Sequence, residues 1–438
     1  MTLKETSCTI GTLVRSGQLA VAEGTENDLY ERIQNTELSL GDFMASADYI
    51  RYVGVTDEFR KVMEVFPVPE KETPAGFRKE LIYGEDGCLR VDLVRDIAFE
   101  KNGVRRPTNM LFSANTANPF EVESMKYFIA NLTTNPAIIY QQFLNNPKAN
   151  KNNQFKDRYE VLEELGRLVG PGVDISVEFD DPFAPEEKLM EEISRFEEIL
   201  TPYRLVVKVP HTGPLNTENV KDFLAGNYPA VEDGASKDFF YGHNLAYKLQ
   251  EKGYKVNFTL MGEPHQTALA LLAKPYFINA FVEKRHDQTE RIAHIIENLD
   301  KTGDTIYREM LHDYMMKSDM LSSNDADLSG AEEKARRIIR YRNYYSQEGH
   351  DGLDSVRHSL RVLRQANLPD TRLIVCNTKS DQMYYDIDKL SVEPEFADMK
   401  QRIVLTCEPG YFGRFTGSPT IYTYQRSFLN SVSSGGGS

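Results

Sequence analysis

Lys208 lies near the end of the segment Arg204 to Pro210, which reads RLVVKVP. The apolar residues of that run do not alternate with polar ones, so it reads as a fully buried strand. An amine there must find partners or lose its charge, because desolvation disfavours the ammonium form. A neutral lysine amine attacks carbonyl carbons, so a lysine in this setting suits imine formation. The alternative is a strand-end lysine whose head reaches solvent along its apolar stem. Polar residues close other apolar runs in the same way: Asn115, Asn135, Glu178, Asn257, Thr259, Asn279 and Lys379. Glu178 stands between Val177 and Phe179, where a buried carboxylate without a task would be costly. Asn135, before Pro136, is equally able to shape a turn. Thr259 alone is an ordinary β-branched strand residue, and Asn257 can be satisfied by backbone groups.

The elements that would position these residues repeat from about residue 108 onward. Strand candidates fall at 109–113, 129–133, 173–179, 205–209, 255–260, 277–282, 373–376 and 403–406. Amphipathic segments such as 158–168, 185–200, 242–251 and 352–365 lie between them, with Gly or Pro near their ends. Strands that alternate with helices in this number predict a (β/α)8 TIM barrel, with a doubly wound sheet as the competitor. Chemistry in such a barrel gathers at the C-terminal strand ends, where the polar residues converge.

Two regions exceed eight bare units. Residues 1–107 form an N-terminal extension of mixed or helical structure, with 38–66 mostly helix-like and 91–101 able to form a helix closing the barrel bottom. Residues 286–340 form a long insert between strands six and seven. Its Met310, Met315, Met316 and Met320 are expected to pack as adaptable core. The barrel would occupy 108–425, and the tail 433–438, SSGGGS, reads as an appended linker.

A net charge of −15 argues against nucleic acid as a partner, while leaving room for a local basic pocket. No apolar run approaches the ~18 residues of a membrane span. The polar stretch Met1 to Gln18 lacks a secretory pattern. The four cysteines, Cys8, Cys88, Cys376 and Cys407, show no metal spacing and are expected to be reduced thiols of a cytoplasmic protein.

Motifs then appear in a recognisable order: Thr133-Thr134-Asn135-Pro136, Ser176-Val177-Glu178, Val207-Lys208-Val209-Pro210 and Val256-Asn257-Phe258-Thr259-Leu260. Weaker pieces follow at 279–284, 375–379 and 405–409. The chain resembles the transaldolase family, class I aldolases that form a Schiff base, over residues 108–425; residues 1–107 have no counterpart in that resemblance. The resemblance implies transfer of a dihydroxyacetone-type three-carbon unit between sugar phosphates. Lys208 would form the imine. Glu178 and Thr259 would hold a proton-shuttling water, and Asn135 and Asn257 would bind the donor hydroxyls. It implies no metal and no organic cofactor, and leaves a homo-oligomer open.

Two departures bear on this expectation. Where the family carries an aspartate on the first strand this chain has Asn115, and an amide cannot take a proton at neutral pH. The family's serine and arginines for phosphate are matched by Asn279, Lys284 and Lys379, with Arg285 one step beyond. Lysine lacks the two-pronged grip of arginine, so an anionic sugar is expected without fructose 6-phosphate being the natural donor. His211 and His265 are proton-transfer candidates by proximity in sequence. The alternatives are a specialised aldolase with another donor or acceptor, and a catalytically silent sugar-binding homologue.

Overall fold

The computed structural model describes residues 7–435 apart from 40, 42, 45–46, 226–233, 323–324 and 377–380. Six strands precede the barrel. β1 (Ser7–Thr9) pairs with β3 (Glu37–Ser39), while β2 (Ala20–Val21), β4 (Tyr52–Val55), β5 (Phe77–Tyr83) and β6 (Cys88–Arg95) form a sheet in the order β2-β4-β6-β5. This extension has its own core around Ile10, Ile33, Phe59, Val62 and Leu89. Within 38–66 the longest helix among the described residues is Asp57–Val65, started by Thr56, whose hydroxyl accepts from the Phe59 amide at 3.0 Å. The β-branched run before it pairs as β4 instead. The expected helix over 91–101 is likewise a strand end, because Leu89, Val91, Leu93 and Arg95 alternate inward with period two.

Eight parallel strands then close on themselves: β7 (Leu111–Asn115), β8 (Asn131–Thr133), β9 (Asp174–Glu178), β10 (Leu205–Pro210), β11 (Val256–Thr259), β12 (Phe277–Phe281), β13 (Arg372–Cys376) and β14 (Ile403–Cys407), with β14 pairing back to β7. The eight expected strands are all present, each within two or three residues of its expected ends. The expected helices stand at Arg158–Val169, Glu186–Leu200, Tyr241–Glu251 and Asp354–Gln365. Among the described residues no helix is long and apolar enough to cross a membrane.

The insert is a three-helix unit, Glu283–Thr302, Ile306–Lys317 and Leu328–Tyr341, with a separate core around Ile292, Ile296, Leu311 and Ile338. Met315 is buried in it and Met320 packs against it, whereas Met310 and Met316 are exposed. The methionine cluster is therefore half core and half surface.

The extension closes the bottom of the barrel with charge. Arg95 at the end of β6 donates to Asp174 of β9, and both side chains are almost fully buried. Next to them Arg372 of β13 bonds Asp96 at 2.5 Å, and Arg78 of β5 reaches Asp96 at 3.0 Å and Asp370 at 2.8 Å. Burial alone would raise the Asp96 carboxyl, but Arg372 and Arg78 hold it below the usual carboxylate range. Lys255, set over the Tyr276 ring at 4.4 Å, adds a cation to this layer. The layer stands because its buried arginines and aspartates pair with one another.

His211 follows β10, and its ring packs outside the barrel wall against Phe258 (centroids 4.2 Å) and His243 (4.8 Å). Phe258 belongs to the outer core shared with the helix Tyr241–Glu251. Burial, then the neighbouring His243 and His265, push the His211 imidazole down to about 3.

Removing Asp174 leaves Arg95 buried and uncompensated. Asp174→Ala is therefore expected to cost about 3–5 kcal/mol in urea unfolding, against well under half that for an exposed carboxylate such as Glu123. For His211 the unfolded state binds the proton more readily, so its contribution is fully present above about pH 6.5 and is lost as the pH falls from there toward 3. Melting temperature should drop across that window in the native chain and drop less in His211→Phe; parallel curves would refute the assignment.

Candidate active site

Lys208 is 7% exposed, and the sheet register sets it beside Glu178 of β9 and Asn257 of β11. Its Nζ lies 2.8 Å from Glu178 Oε2 and donates to the Thr134 carbonyl at 2.9 Å. The buried amine has thus found partners rather than reached solvent. Each partner is itself held. Thr134 anchors its amide on the Ser176 carbonyl at 2.9 Å. The Glu178 carbonyl accepts from Arg158 at 2.7 Å, and the buried Arg158 is neutralised by Asp180 at 2.5 Å and Glu192 at 2.6 Å. Nothing in the sequence around Arg158 signals this role.

Below the lysine a belt of hydrogen bonds crosses the barrel interior. Asn131 donates to Ser113 (2.8 Å), Ser176 to Asn131 (3.1 Å), Asn257 to Ser176 (3.2 Å) and Asn279 to Asn257 (2.6 Å). The Cys376 thiol reaches Asn279 Oδ1 at 3.7 Å, and burial pushes that thiol up to about 12, so it stays protonated. Ser113 and Asn131 were not apparent as site residues. Their signal is a polar residue mid-strand facing inward, where an unpaired group would be costly.

A cavity of about 630 Å³ opens above the belt. Lys208, Thr259, Asn115, Asn135 and Asn279 all face it. Asn135 shapes the following turn as anticipated: its Oδ1 accepts from the Ile138 amide at 2.8 Å, which leaves its NH2 group uncommitted beside the cavity. That turn, Ala137–Leu144, is a π-helix whose Ile138 and Gln142 wall the cavity. Two strands round the barrel from β8, Thr406, Glu408, Tyr411 and Arg414 line it from β14 and the short helix Pro409–Arg414. Burial and nearby acidic groups raise the Tyr411 hydroxyl well above the usual tyrosine range. None of Glu408, Tyr411 and Arg414 was singled out from sequence, because loop residues after a last strand carry no periodic signal.

Several expected roles do not match this geometry. Asn257 is 1% exposed and does not line the cavity; its Nδ2 donates to Ser176 and its Oδ1 accepts from Asn279, so both ends of its amide are engaged in the belt. Asn279 faces the cavity, but its two N–H groups already bond Asn257 and the Phe258 carbonyl, so it offers only an acceptor, which an oxyanion rejects. Arg285 is clamped by Asp354 (2.5 and 2.9 Å) and Glu263 (3.2 Å), fastening the insert to the barrel together with Arg342 on Glu263 (2.5 Å). Lys284 is exposed on the helix Glu283–Thr302 and does not line the cavity, and Lys379 lies outside the described residues. His211 and His265 are also misplaced for chemistry, the first behind the wall and the second exposed at the start of the helix Gln266–Leu271. Among the described residues, no three His, Cys, Asp or Glu side chains converge to hold a metal ion.

A lysine paired with a glutamate, on adjacent strands of a closed barrel and opening on a polar cavity, is an arrangement suited to carbonyl chemistry. No curated protein matches the chain. The family model described as transaldolase/fructose-6-phosphate aldolase matches residues 114–372, which hold β8 to β12 whole, the helices between them and the insert. The chain therefore belongs to the transaldolase/fructose-6-phosphate aldolase family and is an aldolase- or transaldolase-type enzyme.

Proposed function

We propose that the protein transfers a dihydroxyacetone-type three-carbon unit between anionic sugars through an imine on Lys208. The observation that carries this is the contact of 2.8 Å between Glu178 and the Nζ of Lys208, the lysine that lines the cavity. Glu178 can draw a proton from the ammonium, leaving a neutral amine to attack the ketose carbonyl, and can return that proton to the departing water. Thr259, exposed to the cavity one pleat above Asn257, supplies the hydroxyl that would hold that water. The NH2 group of Asn135 would take a donor hydroxyl. The protonated imine then serves as the electron sink when the bond between C3 and C4 breaks.

The anion would be met by Arg414. Among the described residues Lys208 and Arg414 are the cationic side chains lining the cavity, and Lys208 is the nucleophile. Asp381, 3.6 Å from Arg414, holds it loosely enough to be displaced by a phosphate. A second reading, an aldolase using a different carbonyl donor or acceptor, draws on Asn279, which presents an acceptor where a phosphate would need a donor.

Borohydride reduction in the presence of fructose 6-phosphate, sedoheptulose 7-phosphate or dihydroxyacetone should leave a stable adduct on Lys208, located by peptide mass spectrometry, and none in Lys208→Met. A protein that binds these sugars yet traps none of them would end the imine reading. Arg414→Gln should raise KM for phosphorylated substrates by about 10-fold to 100-fold, the worth of a hydrogen bond to a charged group, while kcat and the dihydroxyacetone adduct stay near native. An unchanged KM would take the anion away from Arg414.

A further inference from the structure

Carbon–carbon cleavage on an imine needs a group that removes the proton of the C4 hydroxyl. The residues facing the cavity leave few choices. Asn115 is an amide and cannot accept it. Cys376 is a buried thiol pushed up to about 12, and the Tyr411 hydroxyl is also raised, so both hold their protons. Arg414 is permanently charged, and Lys208 is committed to the imine. Glu178 already bonds the lysine and serves the imine steps.

Glu408 is left, and the sheet sets it beside the vacant role. β14 pairs with β7 at Thr406 to Ser113 and at Cys407 to Ala114. One further step of that register places Glu408 beside Asn115. Inward residues alternate along β14, with Val404 in the barrel interior and Thr406 on the cavity, and Glu408, the exposed residue just past the strand end, lines the same cavity. Its carboxylate lines the cavity and makes no hydrogen bond or ion pair with another described residue. Resting on the Schiff-base reading above, we propose that Glu408 is the general base of the cleavage step, supplying from β14 the carboxylate that Asn115 does not provide on β7. Glu408 takes the C4 hydroxyl proton and the C4 oxygen becomes an aldehyde carbonyl. The C3–C4 electron pair moves into the iminium to give an enamine on Lys208. In the reverse direction the protonated Glu408 returns its proton to the acceptor's oxygen as the new bond forms.

The test separates the two chemical stages. Fructose 6-phosphate, sedoheptulose 7-phosphate and dihydroxyacetone are each trapped on Lys208 with borohydride. Exchange is followed by mass spectrometry as 13C from the first three carbons of either ketose phosphate passes to an unlabelled aldehyde phosphate. Glu408→Gln should keep native trapping and lose about 100-fold or more in exchange, the usual share of a general base. In that background Asn115→Asp should recover part of the exchange, since it returns a carboxylate to the neighbouring strand. Native exchange in Glu408→Gln would overturn the assignment while leaving the imine reading intact. So would loss of trapping together with exchange, which would move Glu408 into the imine stage, or a double variant no faster than Glu408→Gln. A native protein that traps but exchanges neither ketose would also overturn it. A native protein that traps no ketone removes the imine reading first, and this proposal with it.

Discussion

The ammonium of Lys208, held inside a barrel that admits little water, is the constraint around which the rest of the site is arranged. A lone charge there would cost more than the fold could bear. Compensation comes from two directions at once, the Glu178 carboxylate and the Thr134 carbonyl, at 2.8 and 2.9 Å. Both come from units before β10 in sequence, Glu178 on β9 and Thr134 just past β8, so the lysine is fixed by barrel packing and not by its own loop. Arg158 then fixes Glu178 from outside the wall, and its own charge is absorbed by Asp180 and Glu192. The stabilising ion pair and the pair of groups that the proposed imine chemistry would use are the same atoms. Preorganisation thus comes with little extra cost.

The hydrogen-bond belt beneath the lysine explains why the cavity keeps its shape. From Ser113 to Cys376 it ties six of the eight strands together at one level, and each amide in it has its partners. Such a network fixes side-chain rotamers more strictly than an apolar layer, since any slip leaves a polar group unsatisfied in a low dielectric. Asn257 and Asn279 matter to the site through this rigidity. At the other end of the barrel the Arg95–Asp174 and Arg372–Asp96 pairs impose a similar discipline, so the chemistry is framed between two polar layers.

The strands and the buried lysine were legible because both depend on local pattern: largely apolar runs for β7 to β14, and one lysine inside such a run. The extension was legible only in part. The alternation of Val91, Leu93 and Arg95 was visible, but a buried arginine at its end has no meaning until Asp174 is known to face it. Partner identity is what the sequence withheld elsewhere too. Arg285 looked like a phosphate ligand because its charge is visible and Asp354, nearly seventy positions later, is not. Asn257 looked like a strand tip, although it sits one pleat lower, where the belt claims it. Glu408 and Arg414 passed unnoticed because a residue after the last strand gains significance only when the barrel closes β14 against β7.

That closure bears on how this chain relates to the rest of its family. Its cation from the sixth unit, Arg285, has been diverted to hold the insert, where Glu263 and Asp354 neutralise it. An enzyme that kept an insert at that price in positive charge would need to meet an anion elsewhere. The cavity wall on the β14 side carries Arg414 together with Glu408, both from the segment after β14. One short segment therefore brings a cation and a carboxylate to the cavity where the sixth unit and β7 do not. The two departures, an amide at 115 and a sequestered arginine at 285, are then not independent losses. If Arg414 and Glu408 act as proposed, both are answered from the same turn, and substitutions there should separate substrate charge from carbon–carbon cleavage more cleanly than any on the strands that carry Lys208 and Glu178.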